Sequence, residues 1–141
     1  MGKSITANGF TWLGKRCQVG TNCNFNGMRV RGFGKVVIGD NFHSGEDCLI
    51  LTSNHNYEGE SVPYDATNIN KDVLIGDNVW IGSRVIILPG ANLGDGCIIQ
   101  AGSVVVGNIP ALSIAGGHPV KVFSKRNKEH YDKMVREQKV F

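Results

Sequence analysis

Aliphatic residues stand at every sixth position through the second half of the chain. They are Ile69, Ile75, Ile81, Ile87, Leu93, Ile99 and Val105, and the residues four positions after them are mostly small or β-branched. A helix repeats its apolar positions every three or four residues and a strand every two, so neither produces this period. Three hexads per turn would stack the aliphatic residues inside a three-sided coil. The pattern therefore predicts an all-β fold, a β-helix over about 13–110.

The N-terminal half repeats the pattern less cleanly. Its hexads run through Leu13, Val19 and Phe25 and then, one residue out of phase, through Ile38, Ser44 and Ile50. An extra residue between 32 and 37 would produce this shift, so we expect a bulge there. Glycines at the second hexad position, such as Gly76 and Gly82, indicate either a positive φ or a close backbone approach.

Two segments leave the repeat. Neither phase continues between Ile50 and Ile69, which predicts a polar loop over about 52–68. Residues 127–138 read as a short helix with Tyr131, Met134 and Val135 on one face. A loop held on a rigid scaffold is a usual location for chemistry. We expect one domain over 1–141 with its active site at this loop.

Composition supports a single globular domain. The chain has 141 residues, 41% of them hydrophobic, and its 19 glycines against 4 prolines fit a repeat with many turns. Its four cysteines form no C-x-x-C pair and each stands at the small fifth hexad position, so we interpret them as buried packing residues. The first residues lack the apolar run of a signal peptide or membrane span, so a cytoplasmic protein without membrane contact is expected.

Positive charge collects near the C-terminus. Residues 121–139 hold seven Lys and Arg against three acids, which gives +4 where the whole chain carries +3. The segment lacks the interleaved aromatics of a nucleic-acid surface, so no nucleic-acid partner is expected. Coenzyme phosphates or a solvated helix face remain as explanations.

Several motifs resemble the hexapeptide-repeat acyltransferases, in particular the galactoside, maltose and polysaccharide O-acetyltransferases. They are I-G-D-N-V-W-I-G-S over 75–83, L-P-G over 88–90, A-G-S-V-V over 101–105 and A-G-G-H-P-V-K-V over 115–122. The resemblance extends over about 22–122. It implies a left-handed parallel β-helix, a homotrimer with each active site between two prisms, and acetyl-CoA as co-substrate with no metal.

Acetyl transfer from a thioester needs a base that takes the acceptor's proton, and histidine suits that task near neutral pH. Of the four histidines, His55 in T-S-N-H-N-Y over 52–57 matches the position of the family's catalytic base. His43 is the second choice. His118 stands where the family tolerates other residues and His130 belongs to the terminal helix, so neither is assigned a catalytic role. No G-x-S-x-G pattern indicates an acyl-enzyme, so direct transfer is expected.

Ser83 and Ala101 are 18 residues apart, so one should lie directly above the other on a three-sided coil. Together they would form a smooth wall for a pantetheine arm, and both match coenzyme-binding positions of the resembling family. Lys121 and Lys125 are candidates for the coenzyme phosphates. Val106-Gly107 departs from the polar Thr-Lys often found there in the family.

Acceptor contacts are assigned to Asn24, Tyr57 and Trp80. Asn24 resembles an acceptor-contacting asparagine of the galactoside enzymes, although a nearby aspartate of that site is absent. Tyr57 belongs to the predicted loop. Trp80 takes an outward position, where packing against a neighbouring subunit is an alternative role.

The predicted function is transfer of an acetyl group to a saccharide hydroxyl, or to an amine, with His55 as general base. A non-catalytic β-helix used as an assembly subunit is one alternative. A zinc carbonic anhydrase of the same fold is a second, which needs three histidines at one interface. In the coil scheme only His43 and His55 are expected to come near each other.

Overall fold

The computed structural model describes residues 4–141, which form strands and one C-terminal helix. The elements are β1 (Ile5–Trp12), β2 (Cys17–Val19), β3 (Cys23–Arg31), β4 (Val36–Ile38), β5 (His43–Leu51), β6 (Ser53–His55), β7 (Asn68–Asn70), β8 (Val73–Ile75), β9 (Trp80–Ile81), β10 (Ile86–Ile87), β11 (Asn92–Leu93), β12 (Ile98–Ile99), β13 (Val104–Val105), β14 (Asn108–Ile109), β15 (Ser113–Gly117), β16 (Val120–Lys125) and α1 (Lys128–Arg136).

The strands stack in parallel on three faces of a coil, which confirms the predicted hexapeptide-repeat β-helix. Face 1 carries Asn24, His43, Trp80, Ile98 and Ile114 in register on its outside. Face 2 carries Arg29, Leu49, Ile86 and Val104, and face 3 carries Gln18, Val37, Leu74, Asn92 and Asn108. The pairings of Ile81 with Ile99 and of Ile87 with Val105 show the expected turn of three hexads.

The alternating inward positions form one continuous core. At the first hexad position, the aliphatic residues from Ile75 to Val105 are buried, whereas Ile69, which was expected to point inward, lies in β7 and is 42% exposed. Phe25, Met28 and Phe42 fill the N-terminal part of the core. Three of the free cysteines are buried and Cys17 is half-buried, as expected for packing residues. Desolvation by burial raises the pKa of the Cys97 thiol to about 12. That thiol therefore stays protonated and unreactive at neutral pH.

The corner between faces 3 and 1 explains the repeated I-G-D-N. A Cβ on Gly39 would lie 2.2 Å from the Oδ1 of Asp77, and one on Gly76 would lie 2.2 Å from the Oδ1 of Asp95. Each aspartate accepts a hydrogen bond from the coil before it, as when the Asp77 backbone N–H donates to Asp95 at 2.7 Å. Close approach is thus the reason for these glycines. The positive φ occurs two positions later, at Asn22, Asn41, Asn78 and Gly96 among others.

The same corner, which we call the tail corner, docks the helix. The amides of Asn22, Asn41 and Asn78 form a ladder with N–O distances of 2.9 and 2.8 Å. Asn78 Nδ2 then lies 2.9 Å from the hydroxyl of Tyr131, whose ring occupies the space above Gly96. Asn127 caps α1 by accepting from the His130 backbone N–H at 2.8 Å.

The coil differs from the sequence prediction at its ends and at its irregularities. β1 pairs with β3 from Ile5 onwards, and β15 continues the coil beyond 110. Near Gly27, β3 has one residue fewer than the paired segments of β1 and β5. After β3 the chain has two extra residues, because the inward residue that follows Met28 is Val36, eight positions later instead of six. The expected single insertion is therefore the net result of one deletion and a two-residue expansion around 32–34.

The excursion from the repeat is a β-hairpin. β6 and β7 pair antiparallel, with Ser53 opposite Asn70 and His55 opposite Asn68. The hairpin leaves the coil at the corner between faces 2 and 3, where the Lys71 backbone N–H donates to the Thr52 carbonyl at 2.9 Å. We call this the hairpin corner. Within residues 4–141, no helix has the length and apolar character needed to cross a membrane.

Candidate active site

His55 stands at the end of β6 with its imidazole exposed to solvent. Its ring stacks on the ring of Tyr64, with centroids 3.8 Å apart and planes 5° from parallel. A face-to-face contact covers the flat side of the imidazole and leaves both ring nitrogens at the open edge. The side chain is thereby oriented without being buried, and it can exchange a proton with a bound molecule.

The segment that carries Tyr64 is held by its own hydrogen bonds. The Ser61 hydroxyl donates to the Tyr64 carbonyl at 2.9 Å, and the Asp65 backbone N–H donates to the Asn56 carbonyl at 3.1 Å. The Asp65 carboxylate accepts from the hydroxyl and the backbone N–H of Thr67. These hydrogen bonds lower the pKa of Asp65, and the bond from the Thr67 hydroxyl has the largest effect. Asp65 thus stays ionised as the central acceptor of the loop.

Ser83 and Ala101 lie at the corner between faces 1 and 2, here called the serine corner. The Gly102 backbone N–H donates to the Ser83 carbonyl at 2.9 Å, which confirms that consecutive coils place the two residues one above the other. A Cβ on Gly82 would lie 2.6 Å from the Ala101 backbone nitrogen, so the coils approach closely. The result is a narrow wall of small side chains, with the Ser83 hydroxyl oriented by the Glu46 backbone N–H at 2.9 Å.

The two candidate phosphate ligands occupy opposite ends of β16. Lys121 pairs with Gly116, next to Gly117, whose backbone N–H donates to the Ser103 hydroxyl in the coil that contains Ala101. Lys125 pairs with Ser113, on the side of the tail corner. Lys121 therefore extends the serine corner towards the C-terminal end of the coil, while Lys125 lies at the far side of face 1.

The serine corner also holds an asparagine pair that the sequence analysis missed. Asn8 Nδ2 donates to Asn26 Oδ1 at 3.1 Å, and Asn26 Nδ2 donates to the Ser44 carbonyl at 2.8 Å. Both line a cavity of about 520 Å³ with Glu46. Asn24, which was expected to contact the acceptor, lies on face 1 instead. The spacing of 18 residues between Asn8 and Asn26 could have indicated that they stack on consecutive coils.

Trp80 and Asn24 share a different cavity of about 510 Å³, between face 1 and the C-terminal segment. It is also lined by His43 and by the helix residues expected to share one face, Tyr131, Met134 and Val135. The Trp80 side chain is 52% exposed. Tyr57, in the hairpin, lies elsewhere and is 72% exposed. The three candidate acceptor contacts are therefore not brought together within the chain.

The candidate base and the candidate coenzyme wall lie at different corners. Face 2 separates His55 at the hairpin corner from Ser83 and Ala101 at the serine corner. His43 lies on face 1, so the expectation that it approaches His55 is wrong. The coil scheme placed both histidines by spacing alone, whereas the hairpin carries His55 outwards from another corner. In the described part of the chain, no three His, Cys, Asp or Glu side chains converge as metal ligands would.

Comparison with known proteins gives consistent likenesses. A family model described as bacterial transferase hexapeptide (six repeats) matches residues 72–107. The galactoside O-acetyltransferase of Escherichia coli K12 is 34% identical over 125 residues, covering 85% of this chain and 61% of that protein. The chain spans about half the length of the curated relatives it matches.

Solved structures show the same similarity. A maltose O-acetyltransferase from Clostridium difficile 630 is 34% identical, with a TM-score of 0.68 over 91% of this chain and 70% of that one. A hexapeptide-repeat acetyltransferase from Vibrio cholerae O1 biovar eltor, complexed with acetyl coenzyme A, has a TM-score of 0.71 and 27% identity over 82% of this chain and 63% of that one. With its six-residue repeat and stacked parallel coils, the chain belongs to the hexapeptide-repeat acetyltransferase family.

Proposed function

We propose that the protein transfers an acetyl group from acetyl-CoA to a hydroxyl, or an amine, of a saccharide, with His55 as the general base. The observation that carries the proposal is the exposed imidazole stacked on Tyr64, on a scaffold that also presents the wall of Ser83 and Ala101. The saccharide acceptor is supported by the galactoside and maltose enzymes among the similar proteins.

The reaction is a direct transfer. A ring nitrogen of His55 accepts the acceptor's proton while the acceptor oxygen attacks the thioester carbonyl carbon. The tetrahedral intermediate then collapses, the carbon–sulfur bond breaks, and the imidazolium returns the proton to the departing sulfur. The products are the acetyl ester and coenzyme A with a free thiol, and His55 is again neutral.

The serine corner suits the coenzyme. A pantetheine arm is thin and carries two amides, so it can follow a wall of small side chains with backbone groups within reach. Ser83 and Ala101 supply that wall, and Lys121 lies at its C-terminal end, where it can neutralise a phosphate. In this arrangement Lys125 contributes only if the coenzyme's nucleotide end crosses β16.

We propose that the complete site forms between two copies of the chain in a homotrimer. Face 2, which separates the base from the wall, carries an apolar outer surface in Leu49, Ile86 and Val104, all half-buried in the single chain. Packing such faces together would remove them from water and bring the hairpin of one copy to the serine corner of another.

Measurement of thiol release from acetyl-CoA with a panel of saccharides tests the proposal. We expect His55→Ala to reduce kcat by about 10²–10⁴-fold, the range typical of general-base catalysis. His43→Ala is the matched control, since that imidazole lies on another face, and should keep most of the activity. Full turnover by His55→Ala would remove His55 from the mechanism.

A further inference from the structure

The two N-terminal coils carry a concentration of positive charge that the proposed reaction has not used. The sequence contains no Asp or Glu before Asp40, whereas residues 4–39 contain Lys15, Arg16, Arg29, Arg31 and Lys35. All five side chains are exposed. Both ion pairs within residues 4–141 lie in the C-terminal segment, so none of these five side chains forms a salt bridge. An acidic residue, Asp72, lies beside Lys35, and its carboxylate accepts a hydrogen bond from the Lys35 backbone N–H at 2.8 Å. The first coils therefore present a positive field.

Three of these cations line a cavity that also contains aromatic surface. A hollow of about 270 Å³ is lined by Trp12, Lys15, Arg16 and Arg31. Phe33 lies beside it, since its carbonyl accepts a hydrogen bond from Arg16 Nη1. The Trp12 and Phe33 side chains are 57% and 55% exposed. We call this group, together with Lys35, the basic corner.

The chemistry of the basic corner fits an anionic sugar. A guanidinium binds carboxylate or phosphate through two parallel hydrogen bonds, and ammonium groups add point charges. Flat aromatic faces pack against the apolar C–H faces of sugar rings. The volume is on the scale of one or two sugar rings.

The basic corner adjoins the hairpin that carries His55. The Phe33 backbone N–H donates to the Ser53 hydroxyl at 2.8 Å, and the Gly34 backbone N–H lies 3.1 Å from the Thr52 hydroxyl. The Thr52 hydroxyl also lies 3.1 Å from the Arg31 carbonyl. The hollow is thus tied to the stem of the hairpin, on its N-terminal side.

Direction along the coil assigns the hollow to the acceptor. The wall of Ser83 and Ala101 runs towards Lys121 at the C-terminal end, so the coenzyme occupies that side of the base. Direct transfer places the attacking hydroxyl opposite the coenzyme, which leaves the N-terminal coils for the rest of the acceptor.

We propose that the basic corner binds a carboxylate or phosphate group of the acceptor, so that the substrate is an acidic saccharide. This inference rests on the proposed function for the role of the ligand as acceptor. Binding itself does not depend on catalysis. It can therefore be measured in the full chain without acetyl-CoA.

Calorimetric titration with tetragalacturonate, with the uncharged galactose tetramer and with glucose 6-phosphate tests the binding. We expect the charged tetramer to bind at least about tenfold more tightly than the neutral one, as two charge-assisted hydrogen bonds imply. If glucose 6-phosphate binds more tightly than glucose, the basic corner also accepts a phosphate group. Arg31→Gln with Lys15→Gln should abolish the preference, while Lys133→Gln, which removes an exposed charge from α1, should retain it.

Three results would overturn the proposal: equal affinity for the charged and neutral tetramers, no effect of the double variant, or tighter binding of single-stranded RNA of equal charge. Kinetic measurements distinguish failure of the binding proposal from failure of the proposed function. The double variant should raise KM for an acidic acceptor and leave kcat and the KM for acetyl-CoA unchanged. Charge-selective binding without any acetyl transfer would instead reject the proposed reaction and keep the site.

Discussion

At the scale of single residues, the His55 imidazole is held by a ring contact rather than by burial. Tyr64 covers one face of it at 3.8 Å, and the carbonyl of Tyr64 is in turn anchored by Ser61. An aromatic pair of this kind contributes about 0.5–1.5 kcal/mol. The orientation of the proposed base therefore depends on one neighbouring side chain.

Removal of that ring should slow the reaction without abolishing it. We expect Tyr64→Ala to lower kcat by up to about tenfold, because the stacking energy no longer restricts the imidazole. Tyr64→Phe keeps the ring and should retain nearly full activity. The position of the His55 ring-proton resonances in NMR spectra, which the Tyr64 ring shifts, gives a readout independent of turnover. Equal kcat for both variants would contradict the role of the ring.

The buried Cys97 thiol predicts a loss of stability in alkali. Its pKa is raised to about 12 from 9.0, so an unfolded chain loses this proton at lower pH than the folded one. The contribution of this thiol to the free energy of unfolding is fully present below about pH 9 and is lost as the pH rises towards 12. The free energy of unfolding falls with a slope of up to about 1.4 kcal/mol per pH unit in that range. Urea unfolding from pH 7 to 10.5 measures it. Cys97→Ala should show a shallower decline, and an unchanged decline would refute the assignment.

At the scale of elements, α1 is docked by polar contacts and by the shape of one ring. None of its residues is buried, yet Tyr131 continues the asparagine ladder, fills the space above Gly96 and receives the Arg126 guanidinium 5.7 Å from its ring centre. Arg126 Nε also donates to the Gly96 carbonyl at 2.6 Å. The helix is therefore attached at Tyr131 and only loosely covers face 1.

Two glycines form a matched pair that tests this attachment. Gly96 and Gly102 have φ of 71° and 74°. An added Cβ at Gly96 would lie 2.7 Å from the Tyr131 ring and 2.8 Å from Leu112 Cδ2, whereas one at Gly102 would contact nothing. Alanine should cost roughly 1–2 kcal/mol of backbone strain at either position, plus a steric cost at Gly96 alone. Urea unfolding of both variants, with Tyr131→Ala as background, measures the difference. Equal losses would show that Tyr131 does not occupy this space in solution.

At the scale of the whole molecule, one chain presents the parts of the proposed site at two corners. The hairpin with His55 and the serine corner are separated by face 2, and the half-buried apolar residues on that face, such as Ile86, suit contact with another copy. The proposed function consequently makes activity a property of the assembly.

Complementation between inactive variants tests this consequence. His55→Ala lacks the proposed base, and Ala101→Trp blocks the proposed coenzyme wall at an exposed position. In co-expressed mixed assemblies, about a quarter of the sites would combine an intact hairpin with an intact wall, so about a quarter of the wild-type activity should return. Mixing of the separately folded variants is the control. No recovery in mixed assemblies would place each site within a single chain.

Several features were predictable because they depend on periodicity. The core residues followed from the six-residue period, since side-chain direction alternates along each short strand and every turn repeats it. The stacking of Ser83 on Ala101 followed for the same reason. Periodicity could not tell which of Asn24 and Asn26 lies on face 1 and which at the serine corner, because β3 is one residue short near Gly27 and the register shifts there.

The coil, its core and the segment that interrupts it follow from the amino-acid pattern alone, because each depends on residues close in the chain. Three placements come from the folded coil instead: the corner at which the hairpin leaves, the return of Tyr64 over His55, and the group of exposed cations beside the hairpin. Those placements depend on strand register and on contacts between coils. A pattern along a single chain does not specify them, since one residue lost or gained moves a side chain to another face.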